Sequence, residues 1–114
     1  MDDVLRQSLL FDFYGELLTA HQREVYEAVV QNDLSYSEAA EMFGVSRQGV
    51  HELVKRSERL LEQYEGKLHL VERFLKIRLQ VQEIQSLSDH CDEIGMESFA
   101  RQVSELSGKI LEEL

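Results

Sequence analysis

Apolar residues recur along this chain at steps of three and four, the spacing that places them on one face of an α-helix. In residues 3–18, Val4, Leu5, Leu9, Phe13 and Leu17 form one stripe, which Leu10, Phe11, Tyr14 and Leu18 widen. So broad an apolar girth predicts a helix buried on most sides. Asp2 and Asp3 suit its start, where the helix dipole favours acids, and Gly15 marks its end or a loosened last turn. Thr19 with Gln22 has the form of a capping box, followed by Val25, Tyr26, Val29 and Val30 as an inner face, and Asn32–Asp33 break the pattern.

The most informative stretch runs from Leu34 to Tyr64. Ser35 is placed to cap a helix, with Glu38 three residues on to complete a capping box. Ala39, Ala40 and Phe43 share a face, and Gly44 then stops the helix because glycine enters the left-handed region without a Cβ penalty. Val45 is expected to pack back under the turn. Ser46 offers a second cap, and Val50, Leu53, Val54, Leu60, Leu61 and Tyr64 carry the next inner face. Ala40 is small, Gly44 lies four residues on, and Val50 six beyond that. This order fits a helix-turn-helix, in which two short-linked helices cross steeply. Arg47, Gln48, His51 and Lys55 then point outward, all able to donate to phosphates or base edges. An ordinary helical hairpin with a solvated polar face has the same spacing.

After Tyr64 the apolar steps continue. Gly66 either ends the second helix or is a soft point within a longer one. Leu61, Tyr64, Leu68, Val71 and Leu75 form one stripe, and Leu70, Phe74, Ile77, Val81 and Ile84 a second. A helix apolar on two sides needs two covers. Ser88, Asp89 and Gly95 punctuate the next turn, and Phe99, Val103, Leu106 and Ile110 define a last amphipathic helix. The expected organisation is a helix-turn-helix domain over 1–66 and a C-terminal helical extension over 67–114 that pairs two copies of the chain.

Composition sharpens this picture. The 114 residues contain no proline and 6 glycines, as long helices with short turns require. No apolar run approaches a membrane span, the acidic N-terminus does not suit a signal peptide, and the single cysteine, Cys91, cannot form an internal disulfide. A cytoplasmic location without membrane insertion follows as the expectation. The net charge is −10, unevenly spread. Residues 1–45 carry 2 basic and 9 acidic groups, residues 46–59 carry 4 and 2, and residues 60–114 carry 6 and 11. The start of the second helix of the helix-turn-helix is therefore a positive island on an acidic chain. Two net charges are few, so a single copy is expected to hold DNA weakly.

Chemistry of other kinds finds no foothold. His90-Cys91-Asp92 offers three ligand types, but adjacent helical residues point apart and no second pair completes a site. There is no glycine-rich phosphate loop and no nucleophile–base arrangement, so neither an enzyme nor a metal or other cofactor is expected.

The stretches LLTAHQREVY (17–26), DLSYSEAA (33–40) and FGVSRQGV (43–50) resemble region 4 of bacterial sigma factors, a helical domain whose helix-turn-helix reads promoters. A longer resemblance, through LLFDFYGELLT (9–19), GVSRQGV (44–50) and KRSERLLEQYEGKLHL (55–70), is to the small YlxM-type helix-turn-helix proteins of Gram-positive bacteria. It implies an all-α fold, a sigma region 4-like helix-turn-helix bundle with a C-terminal helical extension. It also implies a DNA-binding regulatory role linked to the signal recognition particle pathway. Ser46, Arg47, Gln48 and His51 would then face the major groove, with Lys55, Arg56 and Arg59 near phosphates. The alternative is an accessory factor that binds the particle's protein or RNA instead of DNA, which the acidic body favours. Gly49 stands where related sequences usually carry alanine, an exchange that costs a helix about 0.5–1 kcal/mol.

Overall fold

The computed structural model describes residues 3–114, so Asp2 lies outside the described residues. Among them there are helices and no strand. Helix α1 spans Asp3–Tyr14 and passes at Gly15 into a 3-10 turn, Gly15–Leu17. Helix α2 spans Ala20–Tyr26 and continues as a π turn, Glu27–Gln31. Helices α3 (Tyr36–Phe43) and α4 (Arg47–Leu68) make the helix-turn-helix. Then come α5 (Leu70–Asp89), the short α6 (Cys91–Ile94) and α7 (Met96–Glu113). The chain divides into two compact units, residues 1–69 and 70–114.

In the first unit α1, α2 and α3 each pack on α4. The core holds Leu9, Leu10, Tyr14, Leu18, Val25, Tyr26, Ala28, Ala39, Val50, Val54 and Leu61. The expected phase of α1 needs correction. Val4 is 72% exposed, Leu17 54% and Phe13 38%, so of the first stripe only Leu9 is buried, and Leu10, Tyr14 and Leu18 of the second point inward with it. A helix apolar on most sides does not declare its inner face. Leu18, four residues after Tyr14, is buried in line with it, and Leu17 is not. Phe11 stacks on Tyr26 with ring centroids 5.4 Å apart. Burial, with Glu58 and Glu62 nearby, pushes the Tyr26 phenol up to about 12.

Both capping boxes form. Thr19 accepts from the Gln22 N–H at 3.2 Å, and the Gln22 side chain accepts from the Thr19 N–H at 3.0 Å. Ser35 and Glu38 exchange the same two bonds, both at 3.0 Å. These bonds hold the Glu38 carboxyl below its ordinary range. After the π turn, Asp33 takes a left-handed conformation (φ 57°) and Leu34 N–H closes the end by donating to Ala28 at 3.0 Å. The expected break at Asn32–Asp33 is thus a left-handed helix stop.

Along α4 the inner face runs Val50, Val54, Ser57, Leu61 and Glu65. Two of these are polar. Ser57 Oγ donates to the Leu53 carbonyl at 2.9 Å, and Glu65, 6% exposed, accepts from the Tyr14 hydroxyl at 2.6 Å. A buried polar group is tolerated when its hydrogen bond is made. At the surface Arg6 grips Glu62 through two bonds of 2.9 and 2.6 Å. Helix α4 passes through Gly66 without a break. It stops at His69, which is left-handed (φ 58°) and donates its N–H to Glu65 at 2.9 Å.

The second unit is a helical hairpin. α5 packs against α7, and Lys76 near the start of α5 lies 3.7 Å from Glu113 at the end of α7, so the two run antiparallel. Leu75, Ile77, Gln80, Ile84 and Leu87 on α5 are half-buried, as are Phe99, Val103 and Ile110 on α7. Only Val71 and Leu106 of this unit are buried among the described residues. Leu70, Phe74, Leu79, Val81, Met96, Leu111 and Leu114 are exposed. Gln80 Oε1 is buried with no hydrogen-bond partner among the described residues. The expected turn falls where His90 ends α5, its Nδ1 2.9 Å from the Ser86 carbonyl, and Gly95 (φ 84°) admits α7.

Candidate nucleic-acid interface

The turn between α3 and α4 depends on three residues. Gly44 is left-handed (φ 68°, ψ 34°), and its N–H and that of Val45 both reach the Ala40 carbonyl. Val45 does not pack beneath the turn as expected. It is 37% exposed. Ser46 caps α4 by accepting from Gly49 N–H at 2.9 Å. A Cβ on Gly49 would sit 3.0 Å from the Ser46 oxygen, so the glycine leaves room for the cap hydroxyl.

From that fixed start α4 presents its polar side. Arg47, Gln48, Lys55, Arg56 and Arg59 are exposed and His51 is half-buried. Arg47, His51 and Lys55 are spaced by four and stand above one another on one face. Two shallow hollows share this surface. One, of about 590 Å³, is lined by Tyr36, Arg47, Gln48 and His51. The next, of about 510 Å³, is lined by Gln48, His51, Glu52, Lys55, Arg56 and Arg59. Six of the residues singled out from sequence therefore line one continuous polar surface. Ser46 is exposed beside them, with its hydroxyl engaged as the cap.

Charge on this face is partly compensated. Lys55 Nζ lies 3.5 Å from Glu58, and Gln48 Nε2 donates to Glu52 at 3.4 Å. Arg47, Arg56 and Arg59 form no ion pair among the described residues, which leaves three guanidinium forks open to an anion.

Two flanking contributions carry no signal in the sequence pattern. Tyr36, the first residue of α3, lies on the wall of the first hollow with its ring 5.3 Å from His51. Their separation along the chain is not a helical period. His21 and Gln22, at the start of α2, share a third hollow with Gly49, Glu52, Leu53 and Arg56. A different hollow, about 430 Å³ between α1, α2 and α4, has Leu10, Tyr26 and Leu61 in its lining together with Glu58, Arg59 and Glu62. Among the described residues no group of three or more His, Cys, Asp or Glu could hold a metal ion. No helix there is long and apolar enough to cross a membrane.

Comparison with known proteins agrees with this geometry. A family model described as helix-turn-helix protein, YlxM / p13 like, matches residues 1–98, ending within the first turn of α7. The UPF0122 protein of Symbiobacterium thermophilum is 48% identical over 93 residues, 81% of this chain and 86% of its own. That of Caldanaerobacter subterraneus is 46% identical over 83 residues, 73% of this chain and 71% of its own. That of Halalkalibacterium halodurans is 43% identical over 89 residues, 78% and 82%. On the turn geometry, the matched length and these identities together, the chain belongs to the YlxM / p13-like helix-turn-helix family, UPF0122.

Proposed function

We propose that this chain is a DNA-binding regulatory protein that uses α4 as its recognition helix and takes part in the signal recognition particle pathway. It acts in the cytoplasm by binding rather than by catalysis. The observation that carries this is the face of Arg47, His51 and Lys55, with Arg56 and Arg59 beyond. It is net positive, +2 over residues 46–59, on a chain with net charge −10, and it sits on the helix that the turn holds out. Ser46, Arg47, Gln48 and His51 meet the major groove, and Lys55, Arg56 and Arg59 neutralise phosphates. So few cations hold one copy weakly, and a second copy joined through the C-terminal hairpins doubles them and sets the half-site spacing. Exposed Leu79 (62%), Leu111 (70%) and Leu114 (84%) favour that pairing. The test is binding to genomic fragments across a salt series, with oligomeric state measured by sedimentation. Replacing both Arg47 and Lys55 by alanine should weaken binding, and the lost phosphate contact of Lys55 should shallow the salt slope by about 1. No complex at low salt from the unaltered protein would end this reading.

A second reading is favoured by the net −7 of residues 1–45, namely an accessory factor that docks on the protein or RNA of the signal recognition particle. An acidic surface complements a basic protein better than it does DNA. Co-purification with the particle's protein, unaffected by alanine at Arg47 and Lys55, would favour it over the first.

A further inference from the structure

Tyr36 stands directly after the Ser35 cap, so the capping box fixes the backbone from which it projects. Its ring is half-buried and meets the His51 ring at 5.3 Å and 67°. It is the one residue lining that hollow that does not belong to α4. The other side chains there are held differently. Arg47 is exposed and unpaired, and Gln48 is tethered only at 3.4 Å to Glu52 on its own helix. His51 has its ring against a residue of a second element, Tyr36. Charge acts at a distance and tolerates loose side chains, whereas distinguishing one base edge from another needs a fixed donor or acceptor. Lys55, one turn on, draws a polyanion to this point without choosing its sequence.

We propose that Tyr36 is a positioning residue of this face, holding the His51 ring so that His51 reads a base edge, and that the pair is its main sequence-selective point. This rests on the DNA-binding role proposed above. Tyr36→Phe keeps the ring contact and should keep selectivity, while Tyr36→Ala should lose it.

The experiment selects duplexes from a random pool with the unaltered full chain, then measures variants on a selected and an unselected duplex. Tyr36→Ala should weaken the selected duplex about tenfold and change the unselected one less than about twofold. Tyr36→Phe should match the unaltered chain. Tyr36→Ala with His51→Ala should bind no more weakly than His51→Ala alone, because both act through one ring. In the free protein, Tyr36→Ala should also shift the His51 ring resonances by nuclear magnetic resonance, with the rest of the spectrum retained.

Any of three results overturns the inference: Tyr36→Ala retains the selected sequence, weakens both duplexes alike, or adds its full loss to that of His51→Ala. Unmoved His51 resonances overturn it too. If the unaltered chain selects no duplex, the DNA-binding role falls and this inference with it. That failure appears in the unaltered chain, whereas failure of the Tyr36 role appears only in the variants.

Discussion

The two units use helices in opposite ways. In residues 3–69 three helices surround α4, and eleven apolar side chains with Ser57 and Glu65 go below the surface. In residues 70–114 one helix lies along another, and only Val71 and Leu106 are buried while seven large apolar side chains remain out. The difference is geometric. A helix packed on several sides hides most of its girth, whereas a helix packed on one side hides a single stripe. Apolar residues in the first unit therefore hold the turn and the polar face in place. Those in the second outnumber what one neighbouring helix can cover. The family match ends where α7 begins, so the family likeness rests mainly on the first unit and on α5.

The contrast can be broken by experiment, and core truncation is the strongest test. Leu61→Ala should cost roughly 3–4 kcal/mol in urea unfolding, and Leu106→Ala less, about 2 kcal/mol, since its surroundings are shallower. Equal losses would remove the distinction between the units. Alkali addresses the first core alone. The Tyr26 phenol is raised in the folded state, so its contribution is complete below the ordinary value of 10 and is lost as pH rises through about 12. Over that window the protein should lose roughly 2 kcal/mol, and Tyr26→Phe should remove this part of the slope.

Gln80 tests the hairpin. Gln80→Leu removes an oxygen that is buried without a partner among the described residues and should stabilise the protein by about 1 kcal/mol in thermal unfolding. The glycines separate turn from helix. Gly44→Ala forces a side chain onto φ 68° and should destabilise by about 1 kcal/mol, while Gly66→Ala, in open helix, should stabilise by about 0.5–1 kcal/mol. The smallest effect is acidic. The Glu38 carboxyl is held below its usual 4.5, so its capping contribution is present above that value and fades as pH falls through the lowered one. Glu38→Gln should flatten stability below pH 4.5 while retaining the cap.

Legibility in the sequence divides in the same way between local and distant causes. The Thr19, Ser35 and Ser46 caps and the Gly44 stop can be read because each acts within a few residues of itself. The α4 face from Val50 to Leu61 can be read because its period is unambiguous. The phase of α1 cannot, since both of its stripes are apolar. Ser57 and Glu65 stay hidden because a polar residue looks external until its partner is known, and the partner of Glu65 is Tyr14, on another helix. The end of α4 is hidden for a different reason. Gly66 is permissive in either state, while His69 takes the left-handed position usually left to glycine or asparagine. Within the candidate site, the outward row from Arg47 to Arg59 comes from helical spacing alone, and Tyr36 does not, because its link to His51 crosses the turn.

The π turn at Glu27–Gln31, closed by Asn32 N–H on the Glu27 carbonyl at 3.0 Å, has a consequence for how the chain tolerates length changes. A π turn accommodates one residue more than an α turn of similar rise. Removing one residue there would let α2 continue as ordinary α-helix while the Asp33 stop, and everything it aims, kept nearly the same bearing. The same deletion inside α3 would swing every later residue by about 100° around the axis and turn the polar face of α4 away. The bulge is thus the place in this unit where the reading frame of the fold has slack.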